Sequence, residues 1–300
     1  MVAPDAGVER RALRVSLVAA AALGVAGVLW GLATGSQLIL LDGAYAFIGV
    51  AVSWLLLAVS RVVGRGPNHI YPYGREALTP LVVGVQGFVL LGTVAFAAVD
   101  AVNSILAGGE EVAAGWALAY GVVTLAASLV VWRLLLRIAP DSDLVGAEAT
   151  AWRVSAVLAG GMVIGFGAML ALEGGARSDW VPYLDPALVL VAAVVLVPAP
   201  LGMVRTTFVE LVEASPPDEI QVPVREAVAA VEAAYGVTVP DLRMTKVGPK
   251  LYVEVDGVAP PALTIADEHA MRLDLERRLD ALPFDVWLNF ELFPADAGGA

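Results

Sequence analysis

The stretch QLILLDGAYAFIGVAVSWLLLAVSRVV, Gln37 through Val63, decides what kind of protein this is. Apart from Asp42 near one end and Arg61 near the other it carries no charge. As a helix rising 1.5 Å per residue it would run about 40 Å, more than the roughly 30 Å of a bilayer's hydrocarbon core. Similar apolar stretches recur on either side of it, from Leu13 to about Val204. The whole chain has 300 residues, 59% hydrophobic and 16% charged, with a mean hydropathy of +0.78. Ordinary globular domains are nearer half apolar and a quarter charged. The composition therefore describes a polytopic membrane protein. Its first apolar stretch is long, lacks a clear cleavage site and is followed by further spans, which argues against a secreted protein with a signal peptide. Zero cysteines exclude disulfides and thiolate metal sites. A net charge of −12 argues against nucleic acid as a partner.

Six spans fit the hydropathy, at about 12–33, 37–63, 77–107, 112–138, 145–172 and 183–207. Arg10, Arg11, Arg14, Arg61, Arg65, Arg75, Arg133, Arg137 and Arg205 flank them on one side, and Arg177 alone on the other. The positive-inside rule then puts both termini in the cytoplasm of a multi-pass protein, expected in the cell membrane. Residues 212–300 hold 16 Asp and Glu against 7 Lys and Arg, a far more acidic balance than the segment before them. Residues 1–211 are expected to form the membrane domain and 212–300 a cytoplasmic domain.

That tail reads as a small α/β unit in the order αββαβ. Val224–Tyr235 has helical spacing, with Gly236 placed to end it. Leu242–Lys246 and Leu251–Asp256 read as strands joined at Gly248-Pro249. Thr264 with Asp267 makes a capping-box spacing before a helix from about Ile265 to Leu282, and Val286–Leu292 alternates as a last strand. An open sheet covered by two helices is expected. Under 90 residues supply little core, which favours dimerisation.

Several motifs carry a family resemblance over nearly the whole chain. Leu41-Asp42-Gly43-Ala44-Tyr45 lies at the start of span two, and Tyr71-Pro72-Tyr73-Gly74-Arg75-Glu76 leads into span three. Ala147-Glu148-Ala149 opens span five, Asp185-Pro186 opens span six, and Val209-Glu210-Leu211-Val212-Glu213 leads into the tail. Together they resemble the cation diffusion facilitator family. The resemblance implies a homodimeric exporter that exchanges divalent cations for protons, with six spans and a metallochaperone-like cytoplasmic domain. It implies two pairs of His/Asp ligands on spans two and five, a set that suits tetrahedral Zn²⁺. Those positions here hold Tyr45 and Gly49, then Ala151 and Ser155. A second family site, in the loop between spans two and three, would fall on Asn68, Tyr71 and Arg75, where an arginine repels a cation. The usual zinc chemistry does not carry over to this chain.

The remaining membrane carboxylates then become the candidates, because a charge at a helix centre costs about 2.5–3.5 kcal/mol on insertion scales. If spans two and five run antiparallel with Tyr45 opposite Ser155, Glu148 reaches the level of Val52. Asp42 is then roughly 15 Å away, too far to share an ion. Asp42, Asp100 and Asp185 sit toward the outer ends of spans two, three and six. They read either as an acidic vestibule that attracts cations or carries protons, or as locally satisfied groups. Asp185 before Pro186 fits a helix N-cap with Pro at N1, and Asp100 beside Asn103 fits a wet helix end. Glu148, read in the first turn of span five, favours the helix dipole as a structural or interface residue. Tyr45 and Ser155 either offer oxygens or pack. Arg153 either snorkels to the surface or fills the place of a metal's charge. In the tail, the resemblance points to Asp256, His269 and Glu291 as weak ligands for Zn²⁺ or Mn²⁺, against the reading of an acidic solvated face.

The leading expectation is a cation transporter with proton-coupled efflux through a non-standard ion path formed from Asp42, Tyr45, Asp100, Glu148, Ser155 and Asp185. Its partners would be a divalent cation, protons, the lipid bilayer and a second copy of the chain. No resident cofactor is expected: a divalent metal would enter as substrate or bind the tail. The alternative is a non-transporting paralogue acting as a membrane scaffold, metal sensor or dimer partner. No nucleophile–base set or phosphate loop suggests an enzyme.

Overall fold

A computed structural model describes residues 6–34, 37–108, 114–172, 181–260 and 262–294. Its membrane part consists of α1 (Ala6–Thr34), α2 (Gln37–Val63), α3 (Leu78–Leu106), α4 (Ala114–Ile138), α5 (Asp143–Leu172), α6 (Leu184–Leu196) and α7 (Pro198–Leu211). Among the described residues six helical spans are long and apolar enough to cross a bilayer, the sixth formed by α6 and α7 together. That span is broken where Pro198 and Pro200 remove backbone donors. The helix axis continues through the break, because Val197 N still donates to Ala193 O at 3.0 Å and Leu201 N to Val197 O at 3.2 Å.

The helices pack mainly in pairs: α1 on α2, α4 on α5, and α3 on α6 and α7. Small residues allow the close approaches, as expected where lipid supplies no hydrophobic drive between helices. A Cβ on Gly43 would lie 2.7 Å from the backbone carbon of Gly27, so α1 and α2 touch backbone to backbone. On the other side, Thr207 Oγ1 donates to Pro80 O at 2.9 Å and ties α7 to α3. The main core lies toward the tail-side end, where Leu13, Leu56, Leu135, Val145 and Trp152 meet.

The tail comprises α8 (Asp218–Tyr235), β1 (Thr238–Val247), β2 (Lys250–Ala259), α9 (Ile265–Leu279) and β3 (Asp285–Pro294). β2 is central, antiparallel to β1 and parallel to β3. Alternation along β2 turns Leu251, Val253 and Val255 to one face, where Val224, Val228 and Val231 of α8 and Met271, Leu275 and Leu279 of α9 cover them. Both expected caps form. Gly236 ends α8 at φ 67°, and Thr264 and Asp267 make a reciprocal capping box on α9. Helix α8 starts before the expected Val224 and carries Pro223 within it.

The β1–β2 turn docks on the ends of three membrane helices. Lys246 lies 2.8 Å from both Asp143 of α5 and Glu210 of α7, and Gly248 N donates to Glu210 Oε2 at 2.9 Å. Lys250 meets Glu76, just before α3, at 3.4 Å. Burial by itself would push the Lys246 ammonium down, but the two carboxylates outweigh it and hold the group above the usual lysine range.

Candidate functional site

The positions that would carry the family's zinc ligands form no anionic cage. Ser155 accepts a hydrogen bond from Ser128 of α4 at 3.1 Å, so its hydroxyl is turned to that helix. A Cβ on Gly49 would meet nothing within 4 Å, which leaves that level of α2 open. Ala151 is half-buried and offers no donor atom on its side chain. The side chains of Tyr45 and Asp185 lie outside the described residues. Helix α6 begins at Leu184 with Tyr183 at the N-cap, so Asp185 falls inside the first turn and is not the cap its pairing with Pro186 suggested.

Asp42 lies in the second turn of α2, where the Gly27–Gly43 contact brings α1 against it. Its carboxylate accepts a 2.5 Å hydrogen bond from the Tyr120 hydroxyl of α4. Trp30 packs edge to face on Trp116 at 6.2 Å and on Tyr120 at 6.0 Å, so aromatic rings flank this corner, while Asp42 itself is exposed. Asp100 is exposed toward the end of α3, and no ion pair reaches it among the described residues.

Glu148 is placed otherwise. Ser142 precedes α5 and accepts from Val145 N at 3.2 Å, which starts the helix at Asp143 and moves Glu148 from the expected first turn into the second. There it is only 2% exposed. Its Oε1 accepts from Ser16 of α1 at 2.5 Å and from Ser53 of α2, while its Oε2 is buried with no partner. Trp152 Nε1 donates to Ser16 Oγ at 2.6 Å and so turns the serine hydroxyl hydrogen onto the carboxylate. Arg153 points out of the bundle and is exposed.

A second cluster of the same kind is nearly silent in the sequence. Glu9 of α1 accepts from Ser60 of α2 and, at 2.6 Å, from Ser142. Its one signal is periodic: Glu9 and Ser16 are seven apart on α1, as are Ser53 and Ser60 on α2. Seven residues are about two helical turns, so each pair shares a face.

The loop before α3 holds its own cation. Asn68 Oδ1 accepts from Ile70 N at 2.9 Å and Tyr71 N at 3.0 Å, and the Arg75 guanidinium sits 4.5 Å from the Tyr71 ring centre. In the tail, Asp256 and Glu291 are paired neighbours on β2 and β3, but Arg243 takes the Asp256 carboxylate at 2.6 Å. His269 is exposed on α9 and does not join them. Among the described residues no group of three His, Asp or Glu side chains is close enough to hold a metal.

Comparison with known proteins adds to this geometry. The cation efflux transmembrane domain matches residues 13–212. Metal tolerance protein C1 of Arabidopsis thaliana is similar, with 25% identity over 285 residues. The match covers 89% of this chain, which spans 58% of that relative's length. Six apolar spans, the Tyr71–Glu76 run entering α3 and a family match across the whole helical bundle agree: the chain belongs to the cation efflux family, the cation diffusion facilitators.

Proposed function

We propose that this protein is a membrane cation transporter that moves a divalent cation out of the cytoplasm in exchange for protons, through a site unlike the family's four-ligand zinc cage. The observation that carries the reading is Asp42. It sits on the span that supplies family ligands, its carboxylate is held by Tyr120 from another helix, and the level of Gly49 beyond it is open. A carboxylate, a phenol oxygen and waters make a hard-oxygen site, better matched to a hydrated divalent ion than to zinc held by imidazoles. The name metal tolerance protein, borne by a relative, supports a metal as substrate. Rocking of the bundle around this level would give alternating access. In this reading both termini face the cytoplasm, the cell membrane is the host, and the chain works as a homodimer.

The rival reading, a non-transporting scaffold or dimer partner, draws on Gly49, Ala151, the Ser128–Ser155 hydrogen bond and the Arg75–Tyr71 stack, which occupy or empty both family sites. Flux of purified protein in proteoliposomes across a panel of divalent cations, with and without a pH gradient, separates the two. Uptake that grows with the pH gradient supports the transporter. Absence of flux for every ion supports the scaffold.

A further inference from the structure

We propose that the seam between α1, α2 and α5 carries the coupling protons, with Glu148 as the proton-binding site inside the membrane and Glu9 as its exchange group at the tail-side end. This rests on the proton-coupled reading above and moves the proton away from the Asp42 corner. Two stations of the same composition lie along the seam. One joins Glu9 of α1 with Ser60 of α2 and Ser142 at the start of α5. The other joins Glu148 of α5 with Ser16 of α1 and Ser53 of α2. Seven residues separate them on α1 and on α2, about 10 Å at 1.5 Å per residue.

The two stations differ in access. Glu9 is half-buried at the bundle end, whereas Glu148 is 2% exposed. Both hydroxyls at Glu148 aim at Oε1, leaving Oε2 buried and without a partner. A buried ionised carboxylate with one bare oxygen is costly. A proton on Oε2 forms one O–H bond, removes the charge and leaves both serine hydrogen bonds intact. Release breaks that bond. The buried layer of Leu13, Leu56 and Val145 separates the two stations. The proton therefore passes to water that enters between them as the helices rock apart, then to a carboxylate oxygen of Glu9 and from there to bulk water.

Among the described residues of α1 to α5, charged groups leave the seam to these two acids. On α1, Arg11 and Arg14 are exposed and Arg10 donates to Ala6 O. On α2, Arg61 is exposed and Asp42 is held by Tyr120. On α4 and α5, Arg133, Arg137 and Arg153 are exposed, and Asp143 is paired with Lys246. On α3, Asp100 is exposed at the far end, and Glu76 just ahead of the helix meets Lys250.

Two measurements on the full-length protein in lipid test the assignment. Infrared difference spectra between acid and neutral pH are expected to show a protonated-carboxyl band in wild type that is lost in Glu148→Gln and kept, shifted, in Glu148→Asp. The same band in wild type and Glu148→Gln overturns the proposal. Should Glu148→Gln fail to fold, Ser53→Ala decides: loss of its hydrogen bond to Oε1 should shift the band, and an unmoved band overturns the site. In proteoliposomes, Glu148→Gln is expected to lose cation flux driven by a pH gradient more completely than exchange of cation for cation. Equal loss of both would place Glu148 in the cation site and contradict the proposal. A wild type without any flux would sink the transport reading, while the infrared band would still decide whether Glu148 takes a proton.

Discussion

Asp42 and Glu148 are both carboxylates in membrane helices, yet the protein satisfies them in opposite ways. Asp42 has one strong donor, Tyr120, and the open level of Gly49 lies about two turns further along α2. Glu148 is enclosed by serines from two helices. The level of Glu148 is legible in the residues alone, because an antiparallel register set at Tyr45 and Ser155 puts it opposite Val52, one residue from its actual partner Ser53. Its burial is not legible there. Serine is common in membrane helices and carries no signal of its own, and the helix start at Ser142 hides inside an ordinary polar connector. The Tyr120 contact yields a direct expectation. Tyr120→Phe keeps the ring against Trp30 and removes the donor, so it should cost about 1 kcal/mol of bundle stability, in the range measured for hydrogen bonds between membrane helices. Denaturant titration in mild detergent measures it, and a midpoint equal to wild type would contradict the pairing.

At the scale of elements, the Tyr71–Glu76 run marks the family but gives no hint of its work. Its last residue meets Lys250 of the tail, so the motif that opens α3 is also a docking surface for the β1–β2 turn. No local pattern reveals this, because the partners are far apart in sequence. Lys246→Met tests the docking. It removes a largely buried ammonium from between Asp143 and Glu210, at a cost of up to about 3 kcal/mol. Hydrogen exchange of β1 and β2 amides should speed up, and unchanged protection would contradict the contact. The pH dependence has a fixed sign. The ammonium is held above its unfolded value of 10.5, so its contribution is full below that pH and fades as pH rises through the folded value. Helix contacts give a second expectation. Gly43→Ala puts a methyl group on the backbone of Gly27 and Val28, and such overpacking costs about 1–3 kcal/mol. A variant as stable as wild type would show that α1 and α2 do not touch there.

For the whole molecule, hydropathy is sufficient for six spans because the bilayer demands length and apolarity at each one. The broken sixth helix is less visible, since prolines at 198 and 200 lie within a stretch that still reads as continuously apolar. The αββαβ tail is legible from alternation and caps, which are local signals. The proposed orientation, with both termini in the cytoplasm, rests on nine arginines on one side against one on the other. Reporter fusions near Ser178 and near Glu226 should therefore report opposite sides of the membrane, and the same side would overturn the assignment. In the proposed function Asp42 serves a cation path coupled to protons. Its most direct test records cation entry and luminal pH together in proteoliposomes under an imposed pH gradient, for wild type beside Asp42→Asn, a nearly isosteric change that removes the charge. Coupled cation and proton movement is expected in wild type and neither in Asp42→Asn; equal flux in the two proteins would contradict a role for Asp42 in the path.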